Sequence, residues 1–366
     1  MKNILSPLLL LLLTASAFAQ ENVTYQKPPE SILKLADYQR PPSVQIGSKK
    51  QHMLYFFRPT YKTLDDLNQA ELRLGGLRVN PITNISSTVT YIDNIKVRKL
   101  SEKTERQITG LPENARIANV SWNDAETMVS FTNTVASGVE VWVIELASAS
   151  ARKLTQPNAC AAMGNPAAWF SDGKSLLVRM LPNNRKPLLD DKKNLPTGPI
   201  VSTADGSISQ NRTYQDLLKN KTDEANFETL ITSELYKVEL DGKATLFLPA
   251  ALYAGSSFSP DGSLLLVSTI EKPFSYIVPL GRFPLRTDVY DLSGKLVKEV
   301  NSTPLTEVMP KGFMAVRKGK RYMSWRNDKP ATLFFVEALD EGNPANKVAF
   351  RDELFTWDAP FSGPPV

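Results

Sequence analysis

The sequence predicts an all-β fold: an incomplete β-propeller of about five recognisable blades of four antiparallel strands, with short helical insertions. Three observations carry this. A unit recurs in which an aromatic residue precedes a Ser or Asn/Asp turn and an apolar strand follows. Pro and Asx-Gly turns punctuate the chain, and its apolar runs are too short for helices. The recurring aromatics stand at 122, 169, 258 and 325, with gaps of 47, 89 and 67. The first gap is that of one four-stranded blade, roughly 40–50 residues, and the larger gaps hold insertions. An array of immunoglobulin-like sandwiches is the rival architecture, but its strands would not recur with this aromatic-turn-strand signature.

The chain opens on Lys2, an apolar core from Leu5 to Leu13 interrupted by Ser6 and Pro7, and the small-x-small site Ala17-Phe18-Ala19. Residues 1–19 therefore read as a secretory signal peptide, with the mature chain starting at Gln20 and the protein exported, to a periplasm or beyond the cell. An uncleaved anchor helix is the alternative, but the apolar stretch falls short of the roughly 20 residues that a bilayer span needs. No Cys follows the core, so lipoprotein processing is not indicated. No other segment reads as a membrane span, so no membrane contact is expected after cleavage. Residues 20–43 are polar, with Pro28-Pro29 and Pro41-Pro42 bracketing a helical candidate at 31–36, and read as an extended arm.

Residues 44–366 form the propeller portion. Residues 44–57 give strand, turn and strand. Residues 63–78, with Leu64, Leu67, Leu72, Leu74 and Leu77 among charges, predict a short helix ending near Gly75-Gly76. The blade unit then recurs at Ser121-Trp122-Asn123-Asp124, Trp169-Phe170-Ser171-Asp172-Gly173, Phe258-Ser259-Pro260-Asp261-Gly262 and Trp325-Arg326-Asn327-Asp328. In the clearest copy Pro260 presets φ for a turn, Asp261 can bond its own backbone and Gly262 supplies positive φ. Leu264-Leu265-Leu266-Val267 then fits a strand buried on both faces. Residues 181–230 are a polar, Pro-bearing insertion with helical candidates at 213–219 and 223–230. A propeller closes into a ring or leaves apolar faces and strand edges open. The last strand candidate, 353–357, lies close to residue 366, so the chain is expected to be part of a longer protein.

Composition removes several chemistries. The chain carries 43 Lys and Arg against 38 Asp and Glu, a formal net charge of +5. That excess is spread thinly and indicates no nucleic-acid partner. With one Cys, Cys160, no intrachain disulfide can form, and burial alone must hold the fold. His52, the one histidine, sits at a predicted strand edge beside Lys49 and Lys50 and reads as a structural or surface residue. No G-x-S-x-G elbow is present. Cys160 has no second His to serve as its base and reads as a small buried thiol. One Cys and one His cannot make the usual zinc set. Asp124, Asp172 and Asp261 are oxygen donors, but each already has a turn to hold. No catalytic, cofactor or metal residue is therefore assigned, no cofactor is expected, and substrate-binding residues stay unassigned. The Asn-x-Ser/Thr triplets at Asn22, Asn84, Asn119, Asn211, Asn220 and Asn301 read as chance in a Ser/Thr-rich chain.

Several longer strings are not dictated by turn chemistry. They are Ala70-Glu71-Leu72-Arg73-Leu74-Gly75-Gly76-Leu77-Arg78-Val79-Asn80-Pro81, Arg212-Thr213-Tyr214-Gln215-Asp216-Leu217-Leu218-Lys219-Asn220 and Lys272-Pro273-Phe274-Ser275-Tyr276-Ile277-Val278-Pro279. Trp325-Arg326-Asn327-Asp328-Lys329-Pro330-Ala331-Thr332-Leu333, Glu337-Ala338-Leu339-Asp340 and Asp358-Ala359-Pro360-Phe361-Ser362-Gly363 complete the set. In these the chain resembles, across roughly residues 28–363, the amino-terminal half of glutamyl endopeptidases, a branch of the prolyl oligopeptidase family of serine peptidases. The resemblance implies a propeller that screens access to, and helps bind peptide for, an α/β-hydrolase domain bearing the catalytic Ser, Asp and His. No position of this chain matches those three, so the chain alone is expected not to cleave peptides. Its partner is then a peptide substrate, reached through the absent hydrolase domain. The family's preference for cutting after Glu implies a positive pocket, to which Arg78, Arg282 and Arg286 are candidate contributors. A stand-alone propeller module binding a peptide or protein, and the non-catalytic half of a split peptidase, are the alternatives.

Overall fold

Alternating apolar residues and turn-forming Asx-Gly pairs divide the chain into short antiparallel strands, as the computed structural model shows for residues 26–190, 193 and 213–366. The expected signal peptide and part of the 181–230 insertion lie outside the described residues. The chain separates into two units, Met1–Arg40 and Pro41–Val366. In the first, α1 (Glu30–Ala36) follows Pro29 and buries none of its residues.

The second unit is a succession of blades. Blade 1 holds β1 (Ser43–Ile46) and β2 (His52–Phe57), then an excursion carrying α2 (Leu64–Leu67) and the hairpin β3 (Leu72–Leu74) and β4 (Leu77–Val79), then β5 (Asn94–Lys99) and β6 (Arg106–Gln107). Blade 2 is a plain meander of β7 (Ile117–Trp122), β8 (Met128–Val135), β9 (Gly138–Glu145) and β10 (Ser150–Lys153). Blade 3 comprises β11 (Ala167–Trp169), β12 (Ser175–Met180), α3 (Lys221–Ile231), β13 (Ser233–Glu239) and β14 (Ala244–Ala251). Blade 4 has β15 (Tyr253–Phe258), β16 (Leu264–Ile270), a 3-10 turn (Leu280–Arg282), β17 (Leu285–Asp291) and β18 (Leu296–Thr303). Blade 5 has β19 (Arg321–Trp325), β20 (Thr332–Ala338) and β21 (Asp352–Asp358). Beyond β21 the chain returns along its edge, where Thr356 and Val366 exchange two backbone bonds of 2.7 and 2.8 Å.

The two-residue period of the strands joins blade to blade. In β9, Val139, Val141 and Val143 pack with Leu176 and Val178 of β12. On the opposite face of blade 2, Val129, Phe131 and Ile144 pack with Leu54, Phe56, Ile95 and Val97 of blade 1. Leu177 of β12 turns the other way, onto Leu265 and Val267 of β16. Leu266 and Val289 face Leu333 and Phe335 of blade 5. Among the described residues, no apolar cluster joins blade 5 to blade 1.

The repeated aromatic has a job the turn chemistry did not disclose. It closes the first strand of its blade, and in two blades it ties that strand to the one before. The Trp169 indole donates to the Ser121 carbonyl at 3.2 Å, and the Trp325 indole to the Ser257 carbonyl at 3.0 Å. Each acceptor immediately precedes the aromatic of the preceding blade. Neighbouring first turns also meet: the Glu126 carboxylate accepts from the Ser48 hydroxyl at 2.7 Å and the Lys49 amide at 3.0 Å.

Two helical expectations fail. Residues 63–78 form only α2, set by a capping box between Thr63 and Asp66, and then the β3–β4 hairpin turning on Gly75-Gly76. Residues 213–219 are not helical: Asp216 has φ +59, outside the helical region, and its carbonyl accepts the Gly76 amide at 2.8 Å.

Candidate functional site

The connections between second and third strands stay short in blade 2 but grow in the other blades, and those of blades 1, 3 and 4 pack together. Alternate strand ends lie on opposite sides of a blade, so these three excursions rise from one side of the propeller. There they build a core of their own. Leu74 and Val79 from blade 1, Leu218, Phe227 and Leu230 from blade 3, and Phe274, Val278 and Phe283 from blade 4 form one buried cluster. Phe227 meets Phe274 and Phe283 edge-on, with centroids 5.1 and 5.6 Å apart. Three of the strings that carry the family resemblance, those beginning at Ala70, Arg212 and Lys272, thus converge on one structure, apart from Arg212, which lies outside the described residues.

Polar contacts lock the convergence. Arg78 pairs with Asp216 at 2.7 Å, and that bond raises the Arg78 pKa. The Leu280 amide donates to the Gly75 carbonyl at 2.8 Å. Arg282 lies over the Tyr214 ring, 5.4 Å from its centroid.

The three arginines nominated for a positive pocket are not brought together in one. Arg78 is committed to Asp216. Arg286 is held between Glu271 and Asp288, each at 2.9 Å. Arg282 alone lines a cavity, of about 340 Å³, where blade 4 meets the segment leading into blade 5. It shares that cavity with Arg317 and Arg321, which the sequence reading passed over. Their signal was available: Arg317-Lys318-Gly319-Lys320-Arg321 places four cations in five residues. Phe283, Leu285, Met309 and Val316 supply apolar wall. Burial, followed by the neighbouring Arg321 guanidinium, pushes the Arg317 pKa down. A second cavity, about 310 Å³, opens among the first-strand ends of blades 3 to 5 and is walled by Trp169, Ser171, Ser257, Phe258, Ser324 and Trp325.

The other residues singled out earlier have structural roles. His52 begins β2, and both its ring nitrogens are buried without a partner. Burial, then Lys99 and Arg106, lower its pKa, so it stays neutral and has no group to orient it as a base. Cys160 is buried beside Asn84, whose amide nitrogen is 3.2 Å from the sulfur, and burial raises its pKa. Asp261 accepts from Ser259 and Ser263 within its turn, and Asp172 accepts from the Lys174 amide. Asp124 lies exposed at the rim of the second cavity. Among the described residues no three His, Cys, Asp or Glu cluster as metal ligands would. Asn84 is fully buried, Asn119 bonds Thr132 across the sheet, Asn220 caps α3 and Asn301 lies near the Lys320 carbonyl. Asn22 and Asn211 lie outside the described residues.

No protein-family model matches the chain. It is 32% identical over 353 residues to a probable chloroplastic glutamyl endopeptidase of Oryza sativa, covering 93% of this chain and 37% of that protein. It is 31% identical over 375 residues to a probable chloroplastic glutamyl endopeptidase of Arabidopsis thaliana, covering 96% of this chain and 38% of that protein. The chain is thus related along nearly its whole length to glutamyl endopeptidases and spans little more than a third of theirs. Among solved structures, an acylaminoacyl peptidase of Pyrococcus horikoshii aligns with 89% of this chain and 39% of its own, at 11% identity and a TM-score of 0.41. TolB from Acinetobacter baumannii aligns with 95% of this chain and 74% of its own, at 9% identity and a TM-score of 0.35.

Proposed function

We propose that this chain is the propeller portion of an exported glutamyl endopeptidase-like serine peptidase of the prolyl oligopeptidase family. It screens and helps to bind peptides for an α/β-hydrolase portion that carries the catalytic Ser, Asp and His. One observation carries the reading: 93% of the chain matches a relative of which it covers 37%. The convergence of three resembling strings in one buried cluster supports it, because a shared elaboration is built there and not merely a shared turn vocabulary. The chemistry of the whole would be acyl transfer to water through the hydrolase serine. This chain's own contribution is steric and electrostatic, since its one imidazole is buried without a partner and its one thiol is buried.

The test is isolation of the native product from its source with an antibody raised to this chain, followed by labelling with a serine-directed fluorophosphonate. The expected result is a labelled polypeptide longer than 366 residues that cleaves a Glu-containing reporter peptide, while the isolated 366-residue chain neither labels nor cleaves. A separate labelled hydrolase chain recovered with it would mean a split peptidase. A native product no longer than this chain, unlabelled and with no labelled companion, overturns the reading and leaves a stand-alone binding module.

A further inference from the structure

The seam between blades 1 and 2 brings charged groups together, with the chain's one histidine among them. The β1–β2 turn presents the Ser48 hydroxyl and the Lys49 amide to the Glu126 carboxylate of blade 2, at 2.7 and 3.0 Å. The approach is so close that a Cβ on Gly47 would collide with that carboxylate. Burial alone would raise the Glu126 pKa, yet these bonds hold it low, so the group stays ionised. His52 begins β2 two residues before Leu54, and so lies on the face that packs against blade 2. Both its ring nitrogens are buried with no partner. The charged groups acting on it are Lys99, opposite it in β5, Arg106 of β6, Glu102 between those strands and Glu126. Lys49 and Lys50 of the adjoining turn are exposed. Both carboxylates are engaged, Glu126 as above and Glu102 with Lys99 at 3.5 Å. Arg106 reaches the Leu146 and Ala147 carbonyls of blade 2, with its Nε buried and unpartnered. An imidazolium here would add a third cation and a further dry N–H.

We propose that this seam is an acid-sensitive latch: uptake of one proton by His52 frees the β1–β2 turn from Glu126 and lets the first-turn side of blade 1 part from blade 2. In the closed seam a second imidazole N–H finds no acceptor and the charge finds no free counter-charge, so the closed form takes the neutral ring. Once the turn lifts, water solvates the ring and the proton binds near the ordinary value of 6.5. Because the folded pKa lies below that value, the closed seam is favoured above about pH 6.5 and weakens as the pH falls below it. Glu126 stays charged to below its ordinary value of 4.5, so the latch opens through His52 before its acceptor is neutralised. The fold suits a partial opening. Among the described residues, the sheet strands of blade 1 share an apolar cluster with blade 2 alone. The blade 1 excursion is anchored to blades 3 and 4 on the opposite side, which makes that side the pivot. The latch does not depend on the peptidase reading.

Hydrogen exchange of the untagged 366-residue chain, corrected for intrinsic rates, tests this between about pH 7.5 and about pH 5.5, one unit either side of the ordinary imidazole value. Because His52 is the one histidine, a single labelled-imidazole NMR signal follows its titration over the same range. Protection of residues 47–52, which include the Lys49 amide, should fall several-fold on acidification. About tenfold is the most that one proton of this affinity allows. β12 and β16 should keep their protection, and the imidazole should titrate with a midpoint below 6.5. His52→Phe keeps a ring where neither nitrogen has a partner, and should abolish the loss. If that variant melts lower than the wild type, the wild-type titration and exchange decide alone. A midpoint at or above 6.5 overturns the proposal, as does unchanged protection of residues 47–52. So does an equal loss in β12 and β16, or the same loss persisting in a stably folded His52→Phe.

Discussion

At the scale of single residues, three tryptophans occupy the same place in three blades and do different work. Trp169 and Trp325 each donate an indole bond to the preceding blade, while the Trp122 Nε1 is buried with no partner. Replacement by Phe keeps most of the apolar ring and removes only the donor. Trp325→Phe and Trp169→Phe should therefore each lower unfolding stability by about 0.5–1.5 kcal/mol, the net worth of the bond lost. Trp122→Phe should cost clearly less, since no bond is given up. Urea unfolding of the three variants measures this directly, and equal losses would show that ring volume alone matters. The sequence displayed the position of these aromatics but not their bonds. Their partners stand 48 and 68 residues earlier, a separation set by the length of the intervening blade and not by any local rule. The same limit hid Arg317 and Arg321: their basic cluster was visible, while the cavity that gives it meaning comes from residues of blade 4.

At the scale of elements, the strands were legible and the excursions were not. The run Leu264-Leu265-Leu266-Val267 reads as a strand and opens β16, because a short apolar run after Asp-Gly has few other fates. The leucines at 64, 67, 72, 74 and 77 mimic helical spacing, yet the last three alternate across a hairpin. What decides between the readings is not local. The β3–β4 turn is held by the Asp216 carbonyl and the Leu280 amide, both from other blades. Gly76 has φ +90, and a Cβ there would come within 3.1 Å of the Pro279 side chain. Gly76→Ala should accordingly destabilise the protein by on the order of 1–3 kcal/mol, from the strained backbone and the contact together. A positive-φ glycine with open space where its Cβ would stand, Gly319, supplies the comparison: Gly319→Ala meets nothing within 4 Å and keeps only the backbone strain. If both variants melt alike, the hairpin is not pressed against blade 4 as described.

At the scale of the whole propeller portion, the pattern of shared faces sets a gradient of stability. Among the strands of the five blade sheets, those of blades 2, 3 and 4 share apolar clusters with the blade before and the blade after, whereas those of blades 1 and 5 each share one with a single neighbour; the blade 1 excursion, which joins blades 3 and 4, lies outside this pattern. Hydrogen bonding does not follow the same division. β2 and β20 are interior strands with a partner on each side, like β8, β12 and β16. Burial separates them: all six residues of β12 are buried, against two of six in β2. Apolar area removed from water is worth about 25 cal/mol per Å², so a strand covered on both faces opens at a higher free energy than one covered on one face. Amide hydrogen exchange on the 366-residue chain should then find β8, β12 and β16 the slowest to exchange, with β2 and β20 faster despite equal pairing. Protection of β2 and β20 equal to that of β12 would mean that their outer faces are covered in solution, either by each other, so that the succession of blades closes on itself, or by a second copy.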